Sequence, residues 1–289
     1  IYEIGLTDNS TSPDNWTSSN TNTNGFGTNN GIIGVAYGNN TFVAVGEDGK
    51  ISTSPDGTSD TWTAQTSGTT KDFQGVAYGN NTFVAVGNTG KIFTSPDGTT
   101  WTAQTSGVTV RLNGITFSTD KFVAVGNTGT ILTSPDGTTW TAQTSGATTA
   151  LQGVTYGNNT YIAISDSGAT AGAILTSPDG ITWTGQTSGT TKALQGVTYG
   201  NNTFVTVGSL GALLTSPDGT TGWTSRTSGV NKELSVVTFS TDNFVAVGQT
   251  GTILTSPDGS TWTAQTSGST KHLRAVAYGN STFVAVGEE

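Results

Sequence analysis

The sequence predicts an all-β chain built from seven copies of one four-stranded unit. Three observations predict it. A Ser-Pro-Asp motif recurs every 39 to 43 residues, a second motif alternates with it, and no segment shows the 3.6-residue period of a helix. All 7 prolines and all 7 tryptophans belong to the Ser-Pro-Asp copies. The copies begin at Ser12, Ser54, Ser95, Ser134, Ser177, Ser216 and Ser256.

Each copy divides into four short strands. In the second full copy we place them at about 73–78, 82–87, 91–95 and 101–106. The first two are joined by Gly-Asn-Asn or Ser-Thr-Asp, the next two by a Gly-x-x-Gly turn, and the last two by Pro-Asp-Gly. These residues favour tight turns, because Pro fixes φ and Gly and Asn tolerate positive φ.

The second strand of each copy is apolar on both faces, as in the Phe83–Val86 segment. Such a strand must be covered on both sides, and without helices the cover must be neighbouring sheets. Four strands per copy with sheet packed on sheet predicts a β-propeller. The chain ends after two strands of a copy and begins with the complementary two, at Tyr2–Leu6 and after Trp16. We therefore expect a seven-bladed ring, closed by pairing N- and C-terminal strands in one blade.

The predicted organisation is a single propeller domain over residues 1–289. The expected blades are approximately 32–68, 73–107, 111–146, 150–189, 193–229, 233–268, and 272–289 plus 1–20, with a flexible loop at 20–31. The chain begins at Ile1 and contains no Met, so we expect a processed form or a segment of something longer.

The segment from Ser95 to Trp101 resembles the Asp-box, or BNR repeat, of a family of β-propellers. The copies are one residue shorter than the family pattern between Asp and Trp, and two copies carry insertions. The resemblance implies that the boxes lie on the face opposite the usual binding face. We expect the carboxylate to accept hydrogen bonds from turn N–H groups and the Trp to pack on the blade; seven carboxylate–Trp sugar sites are the alternative. The structural Asp-box residues are Asp14, Asp56, Asp97, Asp136, Asp179, Asp218, Asp258, Trp16, Trp62, Trp101, Trp140, Trp183, Trp223 and Trp262.

The other face carries the blade-joining loops and the Gly-x-x-Gly turns, which differ from copy to copy. Turns such as Glu47-Asp48, Asn88-Thr89 and Ser209-Leu210 illustrate the variation. We expect the Phe or Leu of each joining loop to plug the space between blades and its polar neighbours to line the rim of the central channel; unconstrained drift is the alternative reading. The candidate ligand-binding rim residues are Lys71, Asp72, Gln74, Arg111, Asn113, Gln152, Lys192, Gln195, Lys232, Glu233, His272 and Arg274.

Composition excludes several classes of function. The net charge is −9, with 10 basic and 19 acidic residues, so no basic patch for nucleic acid or an anionic membrane is expected. No apolar run is long enough for a membrane-spanning helix, and we expect no membrane insertion. The chain has no Cys, which excludes disulfides, thiolate catalysis and Cys-ligated metals.

No catalytic residue is assigned. The resemblance admits a sialidase, but that family needs three converging arginines, and Arg226 belongs to an outer edge here, away from Arg111 and Arg274. His272 is the only His, and no Ser stands beside it in a recognisable triad context. No two carboxylates are specifically paired for glycoside hydrolysis. We therefore expect no enzyme activity, no cofactor and no metal; calcium at Glu47-Asp48 or Asp166 is a minor alternative.

The leading hypothesis is a glycan-recognising module that is secreted or displayed on a cell or virion surface. Its surface is neutral and rich in Asn, Thr, Gly and aromatic residues. The alternative is a structural or protein–protein scaffold of a cell-surface or virion appendage, as the resemblance to bacterial surface and phage structural proteins suggests. A glycoside hydrolase is the third hypothesis. The expected partner is thus a glycan or a protein, within a larger assembly in the scaffold case.

Overall fold

The computed structural model describes residues 2–7, 16–20, 31–58, 60–166, 174–240 and 242–288. Of the predicted flexible loop only the end residues 20 and 31 fall inside these ranges. Asp14 of the first Ser-Pro-Asp copy also lies outside the described residues.

The described strands form antiparallel sheets of four, numbered here in chain order. The innermost strands are β3 (Ile32–Gly38), β7 (Phe73–Gly79), β11 (Leu112–Phe117), β15 (Leu151–Gly157), β19 (Leu194–Gly200), β23 (Leu234–Phe239) and β27 (Leu273–Gly279). The second strands are β4 (Thr41–Gly46), β8 (Thr82–Gly87), β12 (Phe122–Gly126), β16 (Thr160–Ser165), β20 (Thr203–Gly208), β24 (Phe244–Gly248) and β28 (Thr282–Gly287). The third strands are β5 (Ile51–Ser54), β9 (Ile92–Ser95), β13 (Ile131–Ser134), β17 (Ile174–Ser177), β21 (Leu213–Ser216), β25 (Ile253–Ser256) and β1 (Tyr2–Thr7). The outermost are β6 (Thr63–Gln65), β10 (Thr102–Gln104), β14 (Thr141–Gln143), β18 (Thr184–Gln186), β22 (Thr224–Ser225), β26 (Thr263–Gln265) and β2 (Trp16–Asn20).

Six of the sheets are each built from one continuous stretch of chain, and these are the six continuous blades of the propeller. A further sheet has the order β2-β1-β28-β27 and joins the two ends of the chain. Within it Ile4 pairs with Ala285 and Thr7 pairs with Thr282. The innermost strands contact one another in succession from β3 to β27, and β27 contacts β3. The predicted all-β propeller with four-stranded blades is confirmed.

The core lies between neighbouring sheets rather than within any one of them. Leu112, which is fully buried, packs with Val84 and Val86 of the preceding blade and with Phe122 of its own. Phe73 lies in the same way between Val43 of the first blade and Phe83 of the second. The prediction that these residues plug the space between blades is confirmed. Because each blade lacks a covering layer of its own, its stability depends on both neighbours.

The tight turns take the conformations that their residues permit. Asn80 and Asn81 both have positive φ, at 47° and 56°, which is the geometry of a two-residue type I′ hairpin turn. The outermost strands are shorter than predicted, since β10 ends at Gln104 rather than near 106. The chain turns away there because Ser106 Oγ accepts the N–H of Val108 at 3.2 Å and Gly107 has a φ of 76°.

Candidate functional site

Two faces of the ring follow from the strand directions. The inner strands begin, and the second strands end, at one end of the channel, because Leu112 pairs with Gly126 and Leu194 pairs with Gly208. The blade-joining loops and the turns after the second strands lie at this end, which we call the rim face. The Asn-Asn turns and the Ser-Pro-Asp-Gly turns lie at the opposite end, the box face. The predicted division between the two faces is confirmed.

The Ser-Pro-Asp-Gly turn is held together by its own side chains. In the second blade, the Oγ of Ser95 accepts the N–H of Gly98 at 2.8 Å, and Asp97 accepts the N–H groups of Thr99 and Thr100 at 2.8 and 3.1 Å. The indole N–H of Trp101 donates to the carbonyl of Gly98 at 2.8 Å. These are the contacts expected of a scaffold turn, and they leave neither Asp97 nor the indole N–H of Trp101 unengaged.

The same hydrogen bonds lower the pKa values of the carboxyl groups in the box turns. Backbone donors from Thr99 and Thr100 lower the pKa of Asp97 to about 2, and the corresponding donors Thr139 and Thr138 do the same for Asp136. The pKa of Asp218 is lowered most strongly by the N–H of Thr221. The box face therefore remains negatively charged well below neutral pH.

Two insertions test how tightly the box is built. The copy that ends at Trp223 carries an extra glycine, and its indole still donates to Gly219 at 3.1 Å. The copy that ends at Trp62 is longer, and the buried Nε1 of Trp62 has no hydrogen-bond partner among the described residues. Further along the fifth blade, Arg226 lies on the outer edge, where its Nε donates to the Oγ1 of Thr215 at 2.9 Å. The prediction that Arg226 is remote from the rim is confirmed.

A β-bulge recurs at the second residue of every inner strand. In β11, Leu112 and Gly114 both pair with β12 while the residue between them is skipped. A bulge turns the skipped residue away from the ladder, so its side chain points elsewhere. Here seven such residues line the mouth of the central channel, and we call them the mouth ring: Ile33, Gln74, Asn113, Gln152, Gln195, Ser235 and Arg274.

The mouth ring opens into a cavity of about 250 Å³. Directly below the ring lies a layer of small residues, most of them glycines such as Gly75 and Gly114, followed by valines and Ile115. The glycines let neighbouring inner strands approach closely, since a Cβ on Gly114 would lie 2.8 Å from the backbone oxygen of Gln152. The cavity therefore has a hydrogen-bonding rim above a narrow, apolar floor, and its lining among the described residues includes no Asp or Glu.

Most polar members of the mouth ring are held by a residue fourteen positions later, in the turn after the second strand. Gln74 donates to the Oδ1 of Asn88 at 3.4 Å, Asn113 donates to Asn127 at 3.0 Å, and Gln152 donates to Asp166 at 3.0 Å. Arg274 forms an ion pair with Glu288. These contacts fix the side chains in place while leaving further donors and acceptors open toward the channel.

In four blades, the polar residue before the inner-strand Phe or Leu lies just outside the mouth ring and forms a second tier of the rim. Arg111 donates to the amide oxygen of Gln74, and the carboxylate of Asp72 accepts the side-chain N–H of Asn88 at 2.9 Å. His272 lies 3.9 Å from both Glu233 and Glu288. Burial lowers the pKa of His272, and the neighbouring Arg274 lowers it further.

The predicted lysines lie farther out. Lys71 lines a separate groove of about 650 Å³ between the first two blades, together with Lys50 and Lys91. Lys192 donates to the carbonyl of Leu210 at 2.9 Å, and the carbonyl of Lys232 accepts the N–H of Gly211 at 2.7 Å. The predicted rim residues therefore fall into three groups: the mouth ring itself, the second tier just outside it, and the lysines farther from the channel.

Sequence reasoning missed two members of the mouth ring, Ile33 and Ser235. The signal that could have found them is positional, because both stand immediately after the plug residue of the joining loop, as Gln74 does. Ile33 has no polar side-chain atom that would suggest a binding role. Ser235 was not distinguished from the many other serines of the chain.

The described residues contain no group of three or more His, Cys, Asp or Glu side chains able to hold a metal ion. In the same ranges, no helix has the length and apolarity to span a bilayer.

Comparison with known families gives one match. Residues 12–148 match the DUF6242 beta propeller domain. No curated protein matches the chain.

Solved structures resemble this chain over most of its length. YCF48 from Cyanidioschyzon merolae is 18% identical with a TM-score of 0.71, covering 90% of this chain and 94% of its own. A structure of YCF48 bound to D1 peptide is 17% identical with a TM-score of 0.71, covering 91% and 93%. The WD40 beta propeller domain of Doa1 is 11% identical with a TM-score of 0.69, covering 91% and 94%. At these identities the likeness shows the propeller fold.

Proposed function

We propose that this protein is a non-catalytic binding propeller whose rim face holds a polypeptide partner over the mouth of the central channel. The observation that carries the proposal is the mouth ring. Seven bulges in seven inner strands direct one side chain each toward a single cavity, and six of the seven side chains can form hydrogen bonds. Bulges are common at barrel rims and next to active sites, where they redirect a side chain.

Three features favour a polypeptide. Amide side chains such as those of Gln152 and Gln195 can donate to and accept from one peptide group at the same time. The cavity of about 250 Å³ has room for one side chain or a chain end but not for a folded domain. A propeller of similar fold is described as bound to D1 peptide.

The glycan hypothesis stays a second candidate, favoured by the same uncharged amides. Sugar recognition usually adds an aromatic platform, and the described rim residues provide none. The aromatic side chains at the ends of the inner strands instead pack at the box end, as Tyr78 does against Phe83 with ring centroids 4.6 Å apart. For this reason we rank a peptide ahead of a glycan.

The absence of carboxylates from the cavity lining supports binding rather than hydrolysis, because glycoside hydrolysis needs two facing carboxyl groups. Secretion or display on a cell or virion surface remains part of the proposal and is tested by fractionating the source organism. The scaffold alternative differs in requiring a permanent partner, which would copurify with the protein.

The test is selection of a random-peptide phage library on the immobilised protein, followed by affinity measurements with the enriched peptides. Replacement of Gln152 and Ser235 by Ala is expected to weaken binding at least about tenfold. Thr100→Ala on the box face is the control and should leave the affinity unchanged. Failure to enrich any peptide, or equal binding by the mouth-ring variant, would contradict the proposal; hits on a parallel glycan array would favour the second candidate.

A further inference from the structure

One rim turn departs from its counterparts in both residue type and exposure. The turn after β20 carries Leu210 at a position where the other described turns have Asp48, Thr89, Thr128 and Thr250. Its φ is 52° and its ψ is 38°, the left-handed region that bulky residues rarely adopt. Leu210 is also 57% exposed, and it is one of only two large hydrophobic side chains so exposed among the described residues.

The surrounding contacts hold this turn firmly in place. The N–H of Ser209 donates to the carbonyl of Ala193 at 2.9 Å, and the N–H of Gly211 donates to the carbonyl of Lys232 at 2.7 Å. Lys192 donates from its Nζ to the carbonyl of Leu210 at 2.9 Å. The turn backbone is thus held by hydrogen bonds to the joining loops before β19 and before β23. The leucine side chain remains exposed although its backbone conformation is strained.

The mouth-ring residue of the same blade is also distinct. Gln195 is the bulged residue between the pairs Leu194–Gly208 and Gly196–Val207, so it lies beside the strand end that leads into the Leu210 turn. The amides of Gln74, Asn113 and Gln152 all form hydrogen bonds within the protein. The Gln195 amide forms none with the residues that the structure describes.

We propose that the fifth blade provides the docking point for an extended peptide segment, with Leu210 contacting an apolar side chain of that segment and Gln195 bonding its backbone. This inference rests on the proposed function and narrows its site to one sector of the rim. An exposed leucine in the turn after β20 and an unengaged amide on the paired strand β19 suit a peptide, which offers alternating apolar side chains and hydrogen-bonding backbone groups. A sugar offers less apolar surface to an aliphatic side chain than the apolar side chain of a peptide does.

The decisive variant is Leu210→Thr, because Thr already occupies the same left-handed position at 89, 128 and 250. The matched control is Ile181→Thr, which removes the other exposed aliphatic side chain, 50% exposed and on the box face. The equivalent box positions 99 and 138 already hold Thr. Both variants are therefore expected to fold, and circular dichroism melting curves verify this.

Peptides enriched on the wild-type protein serve as the probe, with affinity read by fluorescence polarisation. Leu210→Thr should weaken binding about tenfold, Gln195→Ala should weaken it severalfold, and Ile181→Thr should leave it unchanged. Equal affinity of Leu210→Thr and wild type overturns the inference, while sensitivity to the Gln152 and Ser235 variant still upholds peptide binding. A dimer in sedimentation that Leu210→Thr abolishes would show a second copy as the occupant and would also overturn the inference.

Discussion

The Nε2 of His272 lies 2.7 Å from the Oγ of Ser235, a mouth-ring residue of the preceding blade. Arg111 occupies the equivalent position in the third blade and reaches back to Gln74 of the second. In both places a nitrogen-bearing side chain from one blade positions a mouth-ring residue of the blade before it. The ligand-facing ring is thereby joined to the packing between blades.

The His272 contact predicts a pH dependence of stability. Burial and the charge of Arg274 lower the pKa of His272, while Glu233 and Glu288 oppose the shift. The unfolded chain then binds a proton more readily than the native protein, so stability is lost as the pH falls below about 6.5. His272→Gln should flatten the dependence of melting temperature on pH between about 7.5 and 5.5. An unchanged slope in the variant would contradict the assignment.

The box turn predicts a stability effect without a binding effect. Ser95 is fully buried, and its Oγ accepts the N–H of Gly98. Ser95→Ala leaves that N–H without an acceptor and should lower the free energy of unfolding by about 1–3 kcal/mol. Denaturant melts measure the loss, and the affinity for selected peptides should not change. A loss of affinity with unchanged stability would instead support a binding role for the boxes.

The glycine layer beneath the mouth ring predicts a contrast between two neighbouring positions. A Cβ on Gly114 would lie 2.8 Å from the backbone oxygen of Gln152, whereas a Cβ on Gly153 would come no closer than 3.4 Å to its neighbours. Gly114→Ala should therefore destabilise the protein by about 1–3 kcal/mol. Gly153→Ala is the control and should be nearly neutral. Equal effects of the two substitutions would contradict the close approach of the inner strands.

The terminal sheet predicts that the chain ends stabilise each other, and we propose that this sheet acts as a seventh blade in solution. Residues Ile4 to Thr7 pair with β28, so removing 1–20 would expose the edge of an apolar strand. The truncated protein should melt at a lower temperature and associate in sedimentation experiments. A synthetic peptide of residues 1–20 added in trans should restore the monomer. A truncated protein that melts and sediments as the full chain does would contradict this closure.

Much of the fold was predictable from the sequence, because the repeated motifs indicate the strands and the tight turns between them within the residues that the structure describes. The turn at Asn80-Asn81 and the plug residue Leu112 follow from residue type and spacing alone. The β-bulge at Asn113 does not, because nothing in its sequence differs from that of a regular strand. Without the bulge, Gln74 and Asp72 look equally close to the channel, and the structure shows that only Gln74 lines it.

The distinct rim features of the fifth blade also could not be predicted from the sequence. Ser209-Leu210 reads as one more variable turn, and its meaning depends on a backbone conformation that only the structure reveals. The exposure of Leu210 and the unengaged amide of Gln195 are properties of the folded ring. Their common position at the rim end of the fifth blade follows from the strand pairing between β19 and β20.

Hydrogen–deuterium exchange on the complex with a selected peptide tests the central claim most directly. If the ligand lies over the channel mouth at the fifth blade, exchange should slow in segments 190–196 and 208–212 and stay unchanged in the box turns at 134–140 and 256–262. Protection confined to the box turns, with the rim segments exchanging as in the free protein, would contradict the account.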